Sequence, residues 1–228
     1  MAQFTLYNSI QGPNGWTVVY LLKALGLSYE LKNLDIHGGE HKTDAFLRIN
    51  PNGRISALVD HGNNDFTVWE SKACLLYLAE KYDSERRFTP GPSVEEQATL
   101  LQWLFFQASG QGAYFGQYTF FAFLAPSKIF DYAIKRYQAE VLRVLGVLEA
   151  VLAAEPADER WLVGGKVTIA DLAFVSWNTA AFACARPQGT VLETDFPAVA
   201  AWHAALTALP FVREGVEKQR VLVGTKAQ

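Results

Sequence analysis

The stretch FTLYNSIQGPNGWTVVYLLKALGLSYELKNLDI, residues 4–36, decides the fold. Phe4 to Tyr7 has the alternating pattern of a strand, and residues 28–36 alternate again. Between them, residues 16–26 carry apolar side chains at helical spacing and end at Gly26, a common helix cap. Strand, helix and strand in this order predict a βαβ unit, in which the strands are parallel and the crossover is right-handed.

A second half of the same domain follows. Two short strands are predicted at residues 55–60 and 66–69, around the turn HGNND. Residues 70–83 then have an amphipathic helical pattern. Residues 1–85 therefore predict a small α/β domain with the order βαβ-ββα.

The pattern changes after this domain. RRFTPGPS, residues 86–93, has the composition of a linker because it contains two prolines and a glycine. Helical patterns follow at about residues 94–123, 127–154, 168–183 and 197–210. We expect an all-α domain over residues 94–228.

Composition excludes several classes of protein. A formal net charge of -3 gives no basic face for nucleic acid. No run of about 18 apolar residues predicts a membrane span, and the N-terminal residues lack a signal-peptide pattern. The two cysteines, Cys74 and Cys184, are far apart, which favours a reducing compartment such as the cytoplasm. The four histidines lack metal-ligand spacing, so we expect no metal site.

Six motifs occur in an order that is specific to one superfamily. They are PNG at residues 13–15, GEHK at 39–42, NPNGRISALVD at 50–60, WES at 69–71, WLFFQASG at 103–110 and WLVGGKVTIADLAF at 161–174. With the βαβ-ββα domain, they resemble the cytosolic glutathione transferases over essentially the whole chain. The first and fifth motifs are similar to the fungal class named after the yeast nitrogen-catabolite regulator. We expect no counterpart of that regulator's Asn/Gln-rich arm, because the first strand begins about three residues into the sequence.

The resemblance implies a thioredoxin-like domain that binds glutathione, followed by an all-helical domain that lines the second-substrate pocket. Glutathione is then a co-substrate, and no other cofactor is expected. The family also implies a homodimer that binds small hydrophobic molecules.

The resemblance also assigns the glutathione contacts. Ser71, at the start of a helix, would bind the γ-glutamyl carboxylate, and Glu70 would bind the ammonium. Ile55 would pair its backbone with the cysteinyl residue, as an added strand does. Arg54 and His41 would hold the glycyl carboxylate. The alternative for Glu70 and Ser71 is a helix-capping pair.

Lys42 is a weaker candidate for the glycyl carboxylate, and a solvated loop charge is the favoured interpretation of it.

The resemblance places the contact with the glutathione thiol on Asn14. The positions at which related families place Ser or Cys fall here on Gly12 and Gly15. The Asn14 amide can donate to a thiolate and lower the thiol pKa, although it cannot act as a base. Its alternative role is that of a turn residue. Ser9 is a weaker candidate.

The tyrosine of the first strand and the two cysteines are interpreted as structural residues. Tyr7 lies inside the first strand and is expected in the core or an interface. Cys74 and Cys184 match no nucleophile position, and buried inert thiols are the default interpretation.

Ser56 departs from the family pattern, since members of the family normally have a cis-proline at this position. We expect the Ile55–Ser56 bond to remain cis, because the other glutathione positions are retained. A trans bond would turn Ile55 away from glutathione, and it would favour the hypothesis that the protein is a non-catalytic carrier.

The helical domain supplies two further candidates. Tyr114 and Trp177 are expected to line the second-substrate pocket, in the cleft between the domains. Thr168 and Asp171, in TIAD, fit a capping box and are assigned to folding.

The resulting hypothesis is a cytoplasmic glutathione transferase with a role in detoxification. It would conjugate glutathione to small hydrophobic electrophiles or reduce organic peroxides. The alternatives are a glutathione-dependent disulfide reductase and a non-catalytic, ligandin-like carrier.

Overall fold

The chain forms two compact units in a computed structural model, which describes residues 2–125, 130–157, 159–183 and 186–226. The first unit contains the residues up to Arg86 together with those from Thr207 onward. The second contains residues 87–206. The sequence pattern placed the last 22 residues, from Thr207, in the helical domain, whereas the structure groups them with the N-terminal unit.

A four-stranded mixed sheet is the centre of the first unit. Its strands are β1 (Phe4–Asn8), β2 (Tyr29–Asn33), β3 (Ala57–Asp60) and β4 (Phe66–Trp69), in the order β2-β1-β3-β4. β1 and β2 are parallel, and the other two pairs are antiparallel. This topology confirms the predicted βαβ-ββα domain.

The helices of this domain are α1 (Pro13–Ala24), α2 (Asp44–Leu47) and α3 (Ser71–Tyr82). Single 3-10 turns lie at Glu40–Lys42 and His61–Asn63. α1 begins three residues earlier than the periodicity predicts, because Pro13 is suited to the first turn of a helix, where its missing N–H has no bond to lose.

Apart from its connecting segments and an isolated β-bridge between Val163 and Lys166, the described part of the second unit is helical, which confirms the predicted fold class. Its helices are α4 (Val94–Phe106), α5 (Ala113–Thr119), α6 (Asp131–Ala154), α7 (Ile169–Ala183), α8 (Leu192–Asp195) and α9 (Pro197–Ala208). α4 and α5 are joined by a π-helical segment at Gln107–Gly112, and a second one follows at Phe120–Leu124.

Thr168 and Asp171 hold the start of α7, as the capping-box pattern predicts. Asp171 Oδ2 accepts hydrogen bonds from Thr168 N over 2.8 Å and from Thr168 Oγ1 over 2.9 Å. Its Oδ1 accepts from Leu162 N over 3.0 Å and from Trp202 Nε1 over 3.1 Å. Burial raises the pKa of Asp171 to about 6, and the four donors oppose that shift.

The last helix, α10 (Pro210–Lys226), explains why the C-terminal residues belong to the first unit. It packs along α1, and Lys23 Nζ lies 2.7 Å from Glu214 Oε2. A Cβ on Gly215 would lie 2.6 Å from the Tyr20 ring, so the helices approach closely at this glycine. The sequence pattern ended at Pro210, which is instead the first residue of α10.

Candidate active site

Three loops of the first unit meet at one edge of its sheet. Tyr7, near the end of β1, pairs with Ala57 at the start of β3. Ala57 in turn pairs with Trp69 at the end of β4. The segments that leave β1, enter β3 and follow β4 are therefore neighbours, which brings the predicted glutathione contacts to one edge.

A pocket of about 370 Å³ lies at this edge. It is lined by Ser9, Gln11, Gly12, Pro13, Asn14, Ile36, His37, His41, Arg54 and Ile55. The structure thus brings together four of the predicted contacts, Asn14, His41, Arg54 and Ile55. Small-molecule sites have volumes of about 300–1,000 Å³, and this pocket falls within that range.

Asn14 is the polar side chain in the first turn of α1. A Cβ on Gly15 would lie 2.0 Å from Asn8 Oδ1, and one on Gly12 would lie 2.9 Å from Ile55 Cδ1. Gly15 therefore has no room for the Ser or Cys that other families place there, whereas a Cβ at Gly12 would meet the flexible end of the Ile55 side chain. Asn14 therefore brings its amide to the positive end of α1, where no acidic residue opposes the dipole.

The turn before Ile55 is braced by its own side chains. Asn50 Nδ2 donates to Arg54 O over 2.6 Å, and Asn50 Oδ1 accepts from Asn52 N over 3.0 Å. Lys42 Nζ donates to Gly53 O over 2.7 Å. Lys42 therefore supports the turn, while Arg54 and His41 line the pocket.

The Ile55–Ser56 peptide bond is cis, as the sequence analysis expects. Ser56 itself is buried, so Ile55 is the residue of this pair that lines the pocket.

Glu70 and Ser71 lie beside this turn, although they do not line the pocket. Glu70 caps α3 through its backbone at φ 68°, and its side chain makes no capping hydrogen bond. Ser71 is buried as the first residue of α3, and its Oγ accepts a hydrogen bond from Lys72 Nζ over 3.1 Å. The Glu70 side chain therefore does not cap α3 as the capping interpretation expects.

Tyr7 and Cys74 are occupied by structural contacts. The Tyr7 ring packs on Phe46 at 5.5 Å, with Lys32 Nζ 5.7 Å from its centroid. Cys74 is buried and its Sγ donates to Val68 O over 3.4 Å. Burial raises the pKa of Cys74 to about 12, which leaves an unreactive thiol. Cys184 lies outside the described residues.

Tyr114 and Trp177 both lie in the helical unit. The Tyr114 ring lies 6.4 Å from the Tyr137 ring, and the Arg143 guanidinium lies 6.0 Å from it. Trp177 is nearly buried and packs edge-on against Phe115 at 6.4 Å. Neither lines the cavity of about 700 Å³ that the structure shows elsewhere in this unit, so their role stays a prediction.

Two residues of this region were missed by the sequence patterns. Lys72 is a cation in the first turn of a helix, a placement that the helix dipole disfavours and that the sequence alone could have flagged. Gln219 donates from Nε2 to Ile10 O over 2.8 Å, far away in sequence. No local pattern could have indicated that contact.

Within the described residues, no group of three His, Cys, Asp or Glu side chains is placed to hold a metal ion. Among the same residues, no helix has both the length and the apolar character that a membrane crossing requires.

Two family models match this chain. Glutathione S-transferase, N-terminal domain, matches residues 2–80, and Glutathione S-transferase, C-terminal domain, matches residues 115–210. The chain therefore belongs to the glutathione S-transferase family.

Fungal proteins are among the relatives and solved structures that the chain resembles. Glutathione S-transferase 2 of Schizosaccharomyces pombe is 45% identical over 228 residues, covering 96% of each chain. Transcriptional regulator URE2 of Saccharomyces cerevisiae is 35% identical over 92% of this chain and 66% of its own length. The structure of glutathione transferase URE2P8 from Phanerochaete chrysosporium with oxidized glutathione has a TM-score of 0.91 and 42% identity, covering 98% of each chain. Within its family, the chain is a fungal Ure2-like glutathione transferase.

Proposed function

We propose that the pocket of about 370 Å³ binds glutathione and ionises its thiol. One observation carries the proposal: Asn14, His41, Arg54 and Ile55 converge on this pocket at the start of α1. His41 and Arg54 would bind the glycyl carboxylate, and the Ile55 backbone would pair with the cysteinyl residue. Solved structures of related proteins with oxidized glutathione and with glutathione support this assignment.

Glu70 and Ser71 complete the site at the γ-glutamyl end. The Ser71 hydroxyl and the free N–H groups of α3 would bind the α-carboxylate, and Glu70 would bind the ammonium. The β3–β4 register supports this, because it sets the end of β4 beside the start of β3.

Ionisation of the thiol is the chemical task of the site. A cysteine thiol with a pKa of about 8.5 is only about 3% thiolate at pH 7, and lowering that pKa by two units raises the fraction to about three quarters. The Asn14 amide and the positive end of α1 favour the charged form. Asn14 cannot accept the proton, which is therefore released to solvent.

The thiolate then attacks an electrophilic carbon of a small hydrophobic substrate. A sulfur–carbon bond forms as the leaving group departs with its electron pair. The same thiolate can attack an oxygen of an organic peroxide, which breaks the O–O bond and releases an alcohol, or a sulfur of a disulfide, which releases the other sulfur as a thiolate. A second glutathione then converts the sulfenic acid or the mixed disulfide to glutathione disulfide, with release of water or of the second thiol. Peroxidase and disulfide reductase activities are therefore included as side activities.

The helical residues from 94 onward would supply the second-substrate pocket, and Tyr114 and Trp177 are the side chains to test first. From the family we also propose a homodimer, a cytoplasmic location, a role in detoxification and no cofactor besides glutathione.

The test is a comparison of glutathione-dependent rates on an aryl halide, an organic peroxide and a model disulfide, for the natural protein and for Asn14→Ala. We expect turnover of at least one substrate and a loss of roughly tenfold or more in kcat/KM on Asn14→Ala, since one hydrogen bond to a charged group contributes about 1.5–3 kcal/mol. Affinity for S-methylglutathione, which has no thiol to ionise, should change little.

Absence of turnover on all three substrates, with tight binding of hydrophobic compounds, would favour the ligandin-like carrier instead. Turnover that is unaffected by Asn14→Ala would refute the assigned role of the amide.

A further inference from the structure

Lys72 occupies an unusual position in the first turn of α3. Its Nζ donates to Ser71 Oγ over 3.1 Å. Within the described residues, no carboxylate forms an ion pair with this ammonium. A cation near the positive end of a helix is disfavoured by the dipole. The described contacts of the free protein therefore do not explain why a lysine stands here.

The surroundings of Lys72 favour its neutral form. Burial lowers the pKa of Lys72 to about 7, and the nearby Glu70 carboxylate opposes that shift. The other titratable group that acts on it is Cys74, whose thiol stays protonated because burial raises its pKa. Glu70 is thus the one negative charge that acts on Lys72 among the described residues.

The three consecutive residues Glu70, Ser71 and Lys72 carry a carboxylate, a hydroxyl and an ammonium. An α-amino acid head group carries the complementary charges on one carbon atom. Because Ser71 Oγ accepts its hydrogen bond from Lys72, the serine proton is available for donation to a ligand. This order of groups matches the γ-glutamyl end of glutathione.

We propose that Lys72 is the counter-ion of the γ-glutamyl α-carboxylate and makes glutathione binding depend on its own protonation. The inference rests on the proposed function, since it assumes that glutathione occupies this site. The carboxylate of the ligand supplies the ion-pair partner that Lys72 lacks, and it stabilises the ammonium form. Binding near neutral pH therefore takes up a proton, and affinity falls as the pH rises above 7.

The experiment is isothermal titration of S-methylglutathione between pH 6 and 8.5, in buffers that differ in ionisation enthalpy. This ligand has no titrating thiol. We expect the natural protein to take up a fraction of a proton near pH 7. Lys72→Met should bind roughly tenfold more weakly without proton uptake, since a charge-assisted hydrogen bond is lost.

Two controls separate binding from folding. Lys72→Arg, whose guanidinium is always charged, should retain affinity and lose the proton uptake. An S-methyl analogue without the α-carboxylate should bind equally to the natural protein and to Lys72→Met. The free Lys72→Met protein should also melt at a higher temperature, because it no longer carries a cation at this helix end.

Equal affinity and equal proton uptake for the natural protein and Lys72→Met would overturn the inference and leave the proposed function standing. No binding of S-methylglutathione to the natural protein at any pH would overturn the proposed function itself.

Discussion

Gly15 leaves no space for a side chain where β1 leads into α1. A Cβ there would lie 2.0 Å from Asn8 Oδ1, so Gly15→Ala forces the buried Asn8 amide or the helix start to move. We expect a loss of about 1–3 kcal/mol in the free energy of unfolding, as in other overpacked sites, measured by urea denaturation. A lower kcat/KM for glutathione-dependent turnover should accompany it, since the same helix start carries Asn14.

Gly146 is the matched control, because it lies within α6 and a Cβ added there would meet no other atom within 4 Å. Gly146→Ala should stabilise the protein by about 0.5–1 kcal/mol through helix propensity. Equal effects of the two substitutions would contradict the proposed close approach at Gly15.

Asp171 is buried and accepts four hydrogen bonds at the start of α7. Asp171→Asn replaces Oδ2, the acceptor for Thr168, with a donor and leaves the buried Thr168 N–H unsatisfied. We expect a loss of about 1–3 kcal/mol in the free energy of unfolding. Asp195→Asn, at a comparable but exposed carboxylate that accepts from Val191 N, should cost clearly less. Comparable losses in the two variants would argue against a special role for Asp171.

At the scale of elements, α10 supports the loop that precedes Asn14. Gln219 Nε2 donates to Ile10 O, and the same oxygen accepts from Trp16 Nε1 over 3.1 Å. Removing the first contact frees one restraint on a loop that lines the pocket.

We therefore expect Gln219→Leu to raise the KM for glutathione by roughly threefold to tenfold, the equivalent of one ordinary hydrogen bond. Steady-state kinetics against Arg220→Gln, which loses only its exposed pair with Glu217, would measure this. An unchanged KM in Gln219→Leu would show that α10 does not position the loop.

The elements that could be predicted from the sequence are those with local signals. The alternating residue pattern predicts β1 and β2, and the capping box of Thr168 and Asp171 predicts the start of α7. The predicted helical pattern ends at residue 210, whereas α10 begins at Pro210, since proline is favoured at the start of a helix.

The residues of the candidate site that could be predicted are likewise those with a local signal. Asn14, Arg54 and Ile55 stand in short motifs, and the fold brings them to one pocket. The contact from Gln219 to Ile10 spans 209 residues, so only the folded chain shows it.

For the whole molecule, a half-buried histidine makes stability depend on pH. Burial lowers the pKa of His203 to about 4, and its ring stacks on Phe182 at 4.9 Å. The unfolded chain binds a proton near pH 6.5 and the folded chain only near pH 4, so stability falls as the pH drops between these values. Asp171 acts in the opposite direction, since its pKa is raised, and its contribution is lost as the pH rises through about 6.

His203→Phe keeps an aromatic ring against Phe182 and cannot be protonated. Its free energy of unfolding should decline less than that of the natural protein between pH 6.5 and 4, measured by urea denaturation across this range. Parallel curves for the two proteins would mean that His203 is protonated equally in both states.

The central claim is that the start of α1 ionises the thiol of glutathione through Asn14. Ultraviolet titration of the thiolate in the bound complex measures the thiol pKa directly, in the natural protein, in Asn14→Ala and in Ser9→Ala as a control from the same pocket. We predict a bound thiol pKa at least one unit below the value of about 8.5 for a free cysteine thiol, raised by about one unit in Asn14→Ala and little changed in Ser9→Ala. A bound thiol pKa near that of the free thiol, or one that Asn14→Ala leaves unchanged, would contradict the claim.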